Sequence, residues 1–145
     1  EVYILGDFMM GYDKPARAYD FFKTMPYANV VWVLGNHDPK PDRLAQIAKD
    51  FNVNVVPMGV PAWHYGFLLS HLPYDGVYVD ERHEGQGLVF PKDDGWAMLH
   101  GHVHSTDTVK RSPAGSMMIH VGIDAHGGLI SQDQIIHIAY QHRNY

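Results

Sequence analysis

There is no cysteine in this 145-residue chain. That removes disulfides, thiolate nucleophiles, iron–sulfur clusters and cysteine-type zinc sites together. Positive charge is scarce as well. Eleven Lys and Arg stand against sixteen Asp and Glu, for a net charge of -5 with histidine neutral and a pI near 6.1. Broad, sequence-independent binding to nucleic acid needs many cationic contacts to phosphates and is not expected. No apolar run approaches the ~18 residues of a membrane-spanning helix, and no signal-peptide pattern opens the chain. The expectation is therefore no membrane partner and a cytoplasmic location. Long Pro, Gly or Ser tracts and internal repeats are missing too. With 46% hydrophobic residues, 1–145 reads as one domain able to bury a real core. An initiator Met is also lacking, and Glu1 leads straight into the apolar run Val2-Tyr3-Ile4-Leu5. A natural start usually leaves exposed residues before its first core strand, so the expectation is a segment from inside a longer protein. What is plentiful is histidine, eleven residues in all, a number that points some of them toward metal or proton chemistry.

Apolar periodicity sets out the elements. The run 2–5 reads as a strand ending at Gly6-Asp7, and Phe8-Met9-Met10-Gly11-Tyr12 as an apolar loop. Asp13 is placed to cap a helix with Pro15 in its first turn, whose buried face is Ala18, Phe21, Phe22 and Met25 and which ends near Pro26. A second strand, 30–34, precedes a second helix opened by Pro41-Asp42 with the stripe Leu44, Ile47, Ala48, Phe51. Strands follow at 53–56, 65–70 and 96–99, then a hairpin of 109–111 and 117–121 about a Pro/Gly turn. Ser131 and Gln134 form a capping box for a last helix. Alternating strands and helices give an α/β domain. Between them, 74–94 is rich in Gly, Asp, Glu and Tyr, and its length makes it a candidate functional loop.

Chemistry-bearing residues gather where the strands end. Gly6-Asp7 closes the first run, Gly35-Asn36-His37-Asp38 the second, His71 the strand 65–70, and Gly101-His102-Val103-His104 the strand after Trp96. Carboxyl ends of strands in an α/β sheet share one edge, where such proteins build sites. Oxygen and imidazole donors without sulfur suit Mn, Fe, Zn or Ni better than a soft metal.

These four blocks, in this order and spanning most of the chain, resemble the signature of the calcineurin-like metallophosphoesterase superfamily. The resemblance implies two packed mixed β-sheets flanked by helices, a four-layer sandwich with no cap domain. It implies two divalent metal ions, Mn²⁺ first, with Fe, Zn or Ni as alternatives. Asp7 would bridge them; Asn36, His71 and His102 would complete the second metal, and His104 would bind the first. An Asp-x-His block that supplies two further ligands of the first metal in that family has no counterpart in this sequence, a departure consistent with an absent upstream strand. The implied activity is hydrolysis of small phosphodiesters or phosphomonoesters, including nucleotides, by in-line attack of a metal-bridging hydroxide. His37, left off the metal in that family, is assigned to proton donation or transition-state charge stabilisation. Asp38 is expected to orient the His37 ring and raise its pKa. A non-catalytic protein-interaction module on the same fold is the competing reading.

Phe8, directly after the bridging carboxylate, is a candidate to stack on a base or aryl group. His126 is a candidate rim residue, Asp124 a structural turn residue, and His100 a packed strand histidine. Arg82, Lys92 and Arg111 are cations of no particular rank.

Overall fold

The computed structural model describes residues 1–9, 14–25, 29–78 and 87–143. The loop residues Met10, Gly11 and Tyr12, the cap Asp13, the helix stop Pro26, and Arg82 and His83 within the 74–94 stretch lie outside the described residues.

Three short apolar strands, β1 (Val2–Leu5), β2 (Val30–Val33) and β3 (Val53–Val56), pair in parallel in the order β1-β2-β3. Parallel neighbours need crossovers, and helices supply both. Helix α1 (Lys14–Thr24) joins the first pair. A 3₁₀ turn (Pro41–Leu44) running into α2 (Ala45–Phe51) joins the second. That helix stops at Asn52, whose left-handed backbone (φ 53°) returns its N–H to Ala48 O, a conformation Asn tolerates.

The helices cover one face of this sheet. Ala18 and Phe22 of α1 and Leu44 and Ile47 beside α2 bury against Val30, Trp32 and Val53. Phe21, expected on the buried face, is instead 38% exposed. It falls at the edge of the helix stripe and meets the Phe8 ring edge-on at 4.7 Å.

The opposite face packs on a second, five-stranded sheet of order β4-β5-β6-β8-β7, comprising β4 (Ala62–His64), β5 (Phe67–Ser70), β6 (Met98–His100), β7 (Val109–Arg111) and β8 (Met117–His120). Val33 from the first sheet and Leu69, Leu99 and Ile119 from the second are the buried centre of the contact. Helix α4 (Gln132–His142) adds Ile135, Ile138 and Ala139, and its Ser131–Gln134 capping box forms as expected. The outer face of the second sheet, Met98 and Met118, lies under Tyr74. The molecule is thus α/β with two packed sheets flanked by helices.

Two elements differ from the sequence reading. Residues 65–70 are not one strand, because Tyr65 (φ 48°) and Gly66 (φ 80°) turn the chain between antiparallel β4 and β5. The turn is hidden in an apolar run. Asp124 belongs to a one-turn helix, α3 (Ile123–His126), rather than a plain turn.

Register is what positions the site. Leu5 pairs with Val33, and Val33 with Val56; Ser70 pairs with His100, and His100 with His120. The parallel strands therefore finish level, and the residues after them leave from one edge of each sheet.

Candidate metal centre

Gly6 and Gly35 allow two strand ends to touch. A Cβ on Gly6 would fall on the His71 ring and 2.8 Å from Gly35 Cα, and one on Gly35 would fall on the Asp7 carboxylate. Gly6 itself has φ 82°, a conformation glycine takes at little cost. Two non-glycine residues after strand ends also lie in the left-handed region, Asp7 (φ 51°) after β1 and His102 (φ 67°) after β6. Each costs on the order of 1–3 kcal/mol, a strain that persists at sites where side-chain direction matters.

The side chains presented this way converge. His71, 1% exposed, donates Nδ1–H to Leu5 O at 2.9 Å. That bond fixes the neutral ring's tautomer, leaving a lone pair on Nε2. Around Nε2 stand Asn36 Oδ1 at 3.0 Å, His102 Nδ1 at 3.1 Å and Asp7 Oδ2 at 3.2 Å. Asp7, His71 and His102 form a group whose ligand atoms all lie within 4.8 Å of one another. Two oxygens with lone pairs therefore face a nitrogen lone pair. A proton on His102 Nδ1 closes one contact and leaves both oxygens facing the nitrogen. A proton on His71 Nε2 makes a buried imidazolium and still serves one acceptor at a time. With that proton in place, burial pushes the Asp7 carboxyl up, but the His71 bond, the His37 backbone N–H and both imidazole charges hold it below its ordinary 3.8. A divalent cation would satisfy all four donor atoms together.

His37 is exposed, and its backbone N–H donates to Asp7 Oδ1 at 2.9 Å. The neighbouring Asp38 does something other than expected. Its Oδ1 accepts from Met9 N at 3.0 Å, and its Oδ2 from Gly35 N at 2.9 Å and Trp32 Nε1 at 3.1 Å. Among the described hydrogen bonds of Asp38, none runs to the His37 ring. Packing brings a buried indole and two loop amides to this carboxylate, so it braces the loop.

His104 does not join the group: it is exposed, with Nδ1 2.9 Å from Asp124 Oδ2. Phe8 is partly buried and packs on the core beneath α1, its ring 5.3 Å from Trp32 and 5.9 Å from Phe22, where the sequence reading has it stack on a base or aryl group. His126 Nε2 donates to His120 O at 2.7 Å and serves the backbone of β8. His100 is fully buried on β6 and stacks at 5.3 Å on His120. Burial pushes the His100 imidazole down to about 4, so the ring is neutral at pH 7.

One aromatic residue next to the cluster went unmarked in the sequence. Phe90, half-buried, sets its ring 6.2 Å from His102 at 74°. It sits in the aperiodic 74–94 stretch, where only the proximity of a long loop to strand ends could have singled it out.

No family model matches the sequence, and no solved structure matches it. The chain is 33% identical to the Gene 66 protein of Mycobacterium phage L5 over an alignment of 149 residues, covering 92% of this chain and 70% of that protein. It is 32% identical to the Gene 66 protein of Mycobacterium phage D29 over 115 residues, covering 71% of this chain and 56% of that protein. With most of both chains aligned at this identity to the phage L5 protein, the chain belongs to the mycobacteriophage Gene 66 protein family.

Proposed function

We propose that this protein is a metal-dependent phosphoester hydrolase of the calcineurin-like metallophosphoesterase kind, acting on small phosphodiesters or phosphomonoesters. The observation that carries the proposal is the meeting of Asp7 Oδ2, Asn36 Oδ1 and His102 Nδ1 around His71 Nε2, on a ring whose other nitrogen is already committed to Leu5 O. A carboxylate, an amide oxygen and two imidazoles form a hard-to-borderline donor set, which fits Mn²⁺ first and Fe, Zn or Ni as alternatives. Bound by these four residues, a divalent ion supplies Lewis acidity toward a phosphoryl oxygen and toward water.

The chain's own residues do the rest. Leu5 O holds the His71 tautomer, and the His37 N–H holds Asp7 Oδ1 so that Oδ2 is left to the cluster. The exposed His37 ring is assigned the proton for the leaving oxygen. A second cation sharing Asp7 would recruit His104 at the expense of its bond to Asp124.

The test is to load the purified protein with Mn²⁺ and supply bis-p-nitrophenyl phosphate. Mn²⁺ at a hundred times its Kd stabilises the fold by about 2.7 kcal/mol, which raises Tm by roughly 5–10 °C for a domain of this size. His37→Ala should keep that rise and lose most turnover. His71→Ala should lose both. A metal-dependent rise with no hydrolysis by the parent protein supports the non-catalytic module instead; no rise with any of the four metals refutes the centre.

A further inference from the structure

The backbone that presents His102 to the cluster is strained. His102 has φ 67°, and Val103 N donates back to Gly101 O at 2.8 Å. A hydrogen bond closed over three residues around a positive φ marks the rarer, more strained form of the γ-turn. Rotating the peptide between Gly101 and His102 would relieve that strain, because this plane sets the φ of His102. The same rotation would turn Gly101 O away from Val103 N. His102 would relax to a negative φ, and its side chain would then leave the backbone in another direction, away from the present 3.1 Å approach of Nδ1 to His71 Nε2.

The Gly101 carbonyl is pinned from behind. His100 Nδ1 lies 2.9 Å from it, and an imidazole nitrogen facing a carbonyl oxygen can only be the donor. With the Val103 amide, this bond fills both lone pairs of Gly101 O. On its other side Gly101 N donates to His71 O at 3.1 Å, so one glycine ties the His71 and His102 backbones together. The His100 ring is itself held. It is 0% exposed, stacks on His120 at 5.3 Å and 16° and meets the Tyr78 ring at 5.9 Å. Its remaining nitrogen, Nε2, has no hydrogen-bond partner among the described residues. Burying that nitrogen costs free energy that an apolar side chain in the same space would not, and the other two residues of β6, Met98 and Leu99, are apolar and buried. Packing alone gives no reason for an imidazole here; the Nδ1–H donor does.

We propose that His100 is a positioning residue for the metal centre: through Gly101 O it holds the strained turn that presents His102 Nδ1 to a cation. It touches neither the cation nor a substrate. This rests on the cation-binding reading of the cluster above. Without the His100 donor, the Gly101–His102 peptide is held by Val103 N alone, and the turn relaxes in the metal-free protein. A cation must then re-form the strained turn as it binds, so the loss appears as weaker metal binding. Removing hydrogen-bond partners that orient metal ligands weakens metal affinity by roughly 10- to 100-fold. A ring that only filled space would act differently: its replacement would change folding stability and leave the metal affinity of the folded protein as it was.

The experiment is isothermal titration of the metal-free protein with MnCl₂, beside urea unfolding of the same preparations. His100→Phe keeps a ring against His120 and removes the donor. It should unfold near the parental midpoint and bind Mn²⁺ at least about tenfold more weakly. His100→Asn carries an amide N–H as many bonds from Cα as Nδ1 and vacates most of the ring. It should be the less stable protein, yet bind Mn²⁺ near the parental affinity. That crossing of stability and affinity is what a space-filling role does not produce. Parental affinity in His100→Phe overturns the proposal, and so does an Asn variant as weak as the Phe variant. If one variant does not fold, the other decides by the same criterion. A parent that binds none of Mn²⁺, Fe²⁺, Zn²⁺ and Ni²⁺ refutes the centre and the role of His100 with it. A parent that binds, with His100→Phe undiminished, removes only His100 and leaves the centre standing.

Discussion

Asp38 and His37 are neighbours in one tetrapeptide, yet the Asp38 carboxylate is taken up by an indole and two loop amides while the His37 ring is exposed, and unfolding experiments separate the two. Asp38→Ala removes the acceptor of three donors: Trp32 Nε1, Gly35 N and Met9 N, at 3.1, 2.9 and 3.0 Å. Trp32 is 0% exposed and Gly35 is buried, so water reaches these two donors poorly once the carboxylate is gone. A buried donor left unmet costs roughly 2 kcal/mol, and the half-buried Met9 amide adds less, about 5 kcal/mol in all. That is most of the stability of a marginal domain. Asp38→Asn keeps one oxygen for Trp32 and Gly35 but turns an amide N–H₂ toward Met9 N–H, and should cost about 2 kcal/mol. His37→Ala keeps the backbone bond to Asp7 Oδ1 and alters only an exposed ring, so its effect should stay within about 0.5 kcal/mol. Urea unfolding of the metal-free proteins, followed by tryptophan fluorescence and checked for equal m-values, measures all three. The graded order Ala, Asn, parent is the expected result. An Asp38→Ala protein within about 1 kcal/mol of the parent would show that this carboxylate does not brace the loop, and would return it to the orienting role beside His37.

Gly6→Ala forces a side chain into a backbone at φ 82° and onto the His71 ring. It should lose metal by elemental analysis and at least about 2 kcal/mol of stability; parental metal content would contradict the close approach of these strand ends. Burial pushes the Asp93 carboxyl up, but the Ser112 and Ser116 hydroxyls and the Gly95 amide hold it below its ordinary 3.8, so its contribution is present above that pH and lost as pH falls through the lowered folded value. Asp93→Asn should therefore be less stable than the parent at pH 7, with the gap closing on acidification below 3.8. A gap independent of pH would mean that the charge on Asp93 is unimportant to the fold.

Much of the architecture could be read before any coordinates. The capping box at Ser131 and Gln134, the helical stripes of α1 and α2, and the Pro/Gly hairpin of β7 and β8 all depend on contacts between residues a few positions apart. Where the reading failed, a local signal was masked. Tyr65-Gly66 lies inside an apolar run that looks like one strand, yet both residues take positive φ and split it in two. Phe21 satisfies the helical period yet stays 38% exposed at the stripe's edge, its ring edge-on to Phe8.

By itself the sequence determined which donors are available and that they follow strand ends: no thiolate, a carboxylate at Asp7, an amide at Asn36, imidazoles at His71, His102 and His104. Strand ends are legible because backbone pairing and burial make apolar runs stop together. Which of those donors share a point was decided only in three dimensions. Asp7, His71 and His102 are brought together by parallel register and two left-handed backbone turns, while His104 is held by Asp124 twenty residues away. The same holds for Asp38, claimed by a buried indole and two loop amides, and for Phe8, whose ring meets Trp32 and Phe22. Side-chain direction on a loop is set by what packs against it from elsewhere in the chain, and no local pattern carries that information.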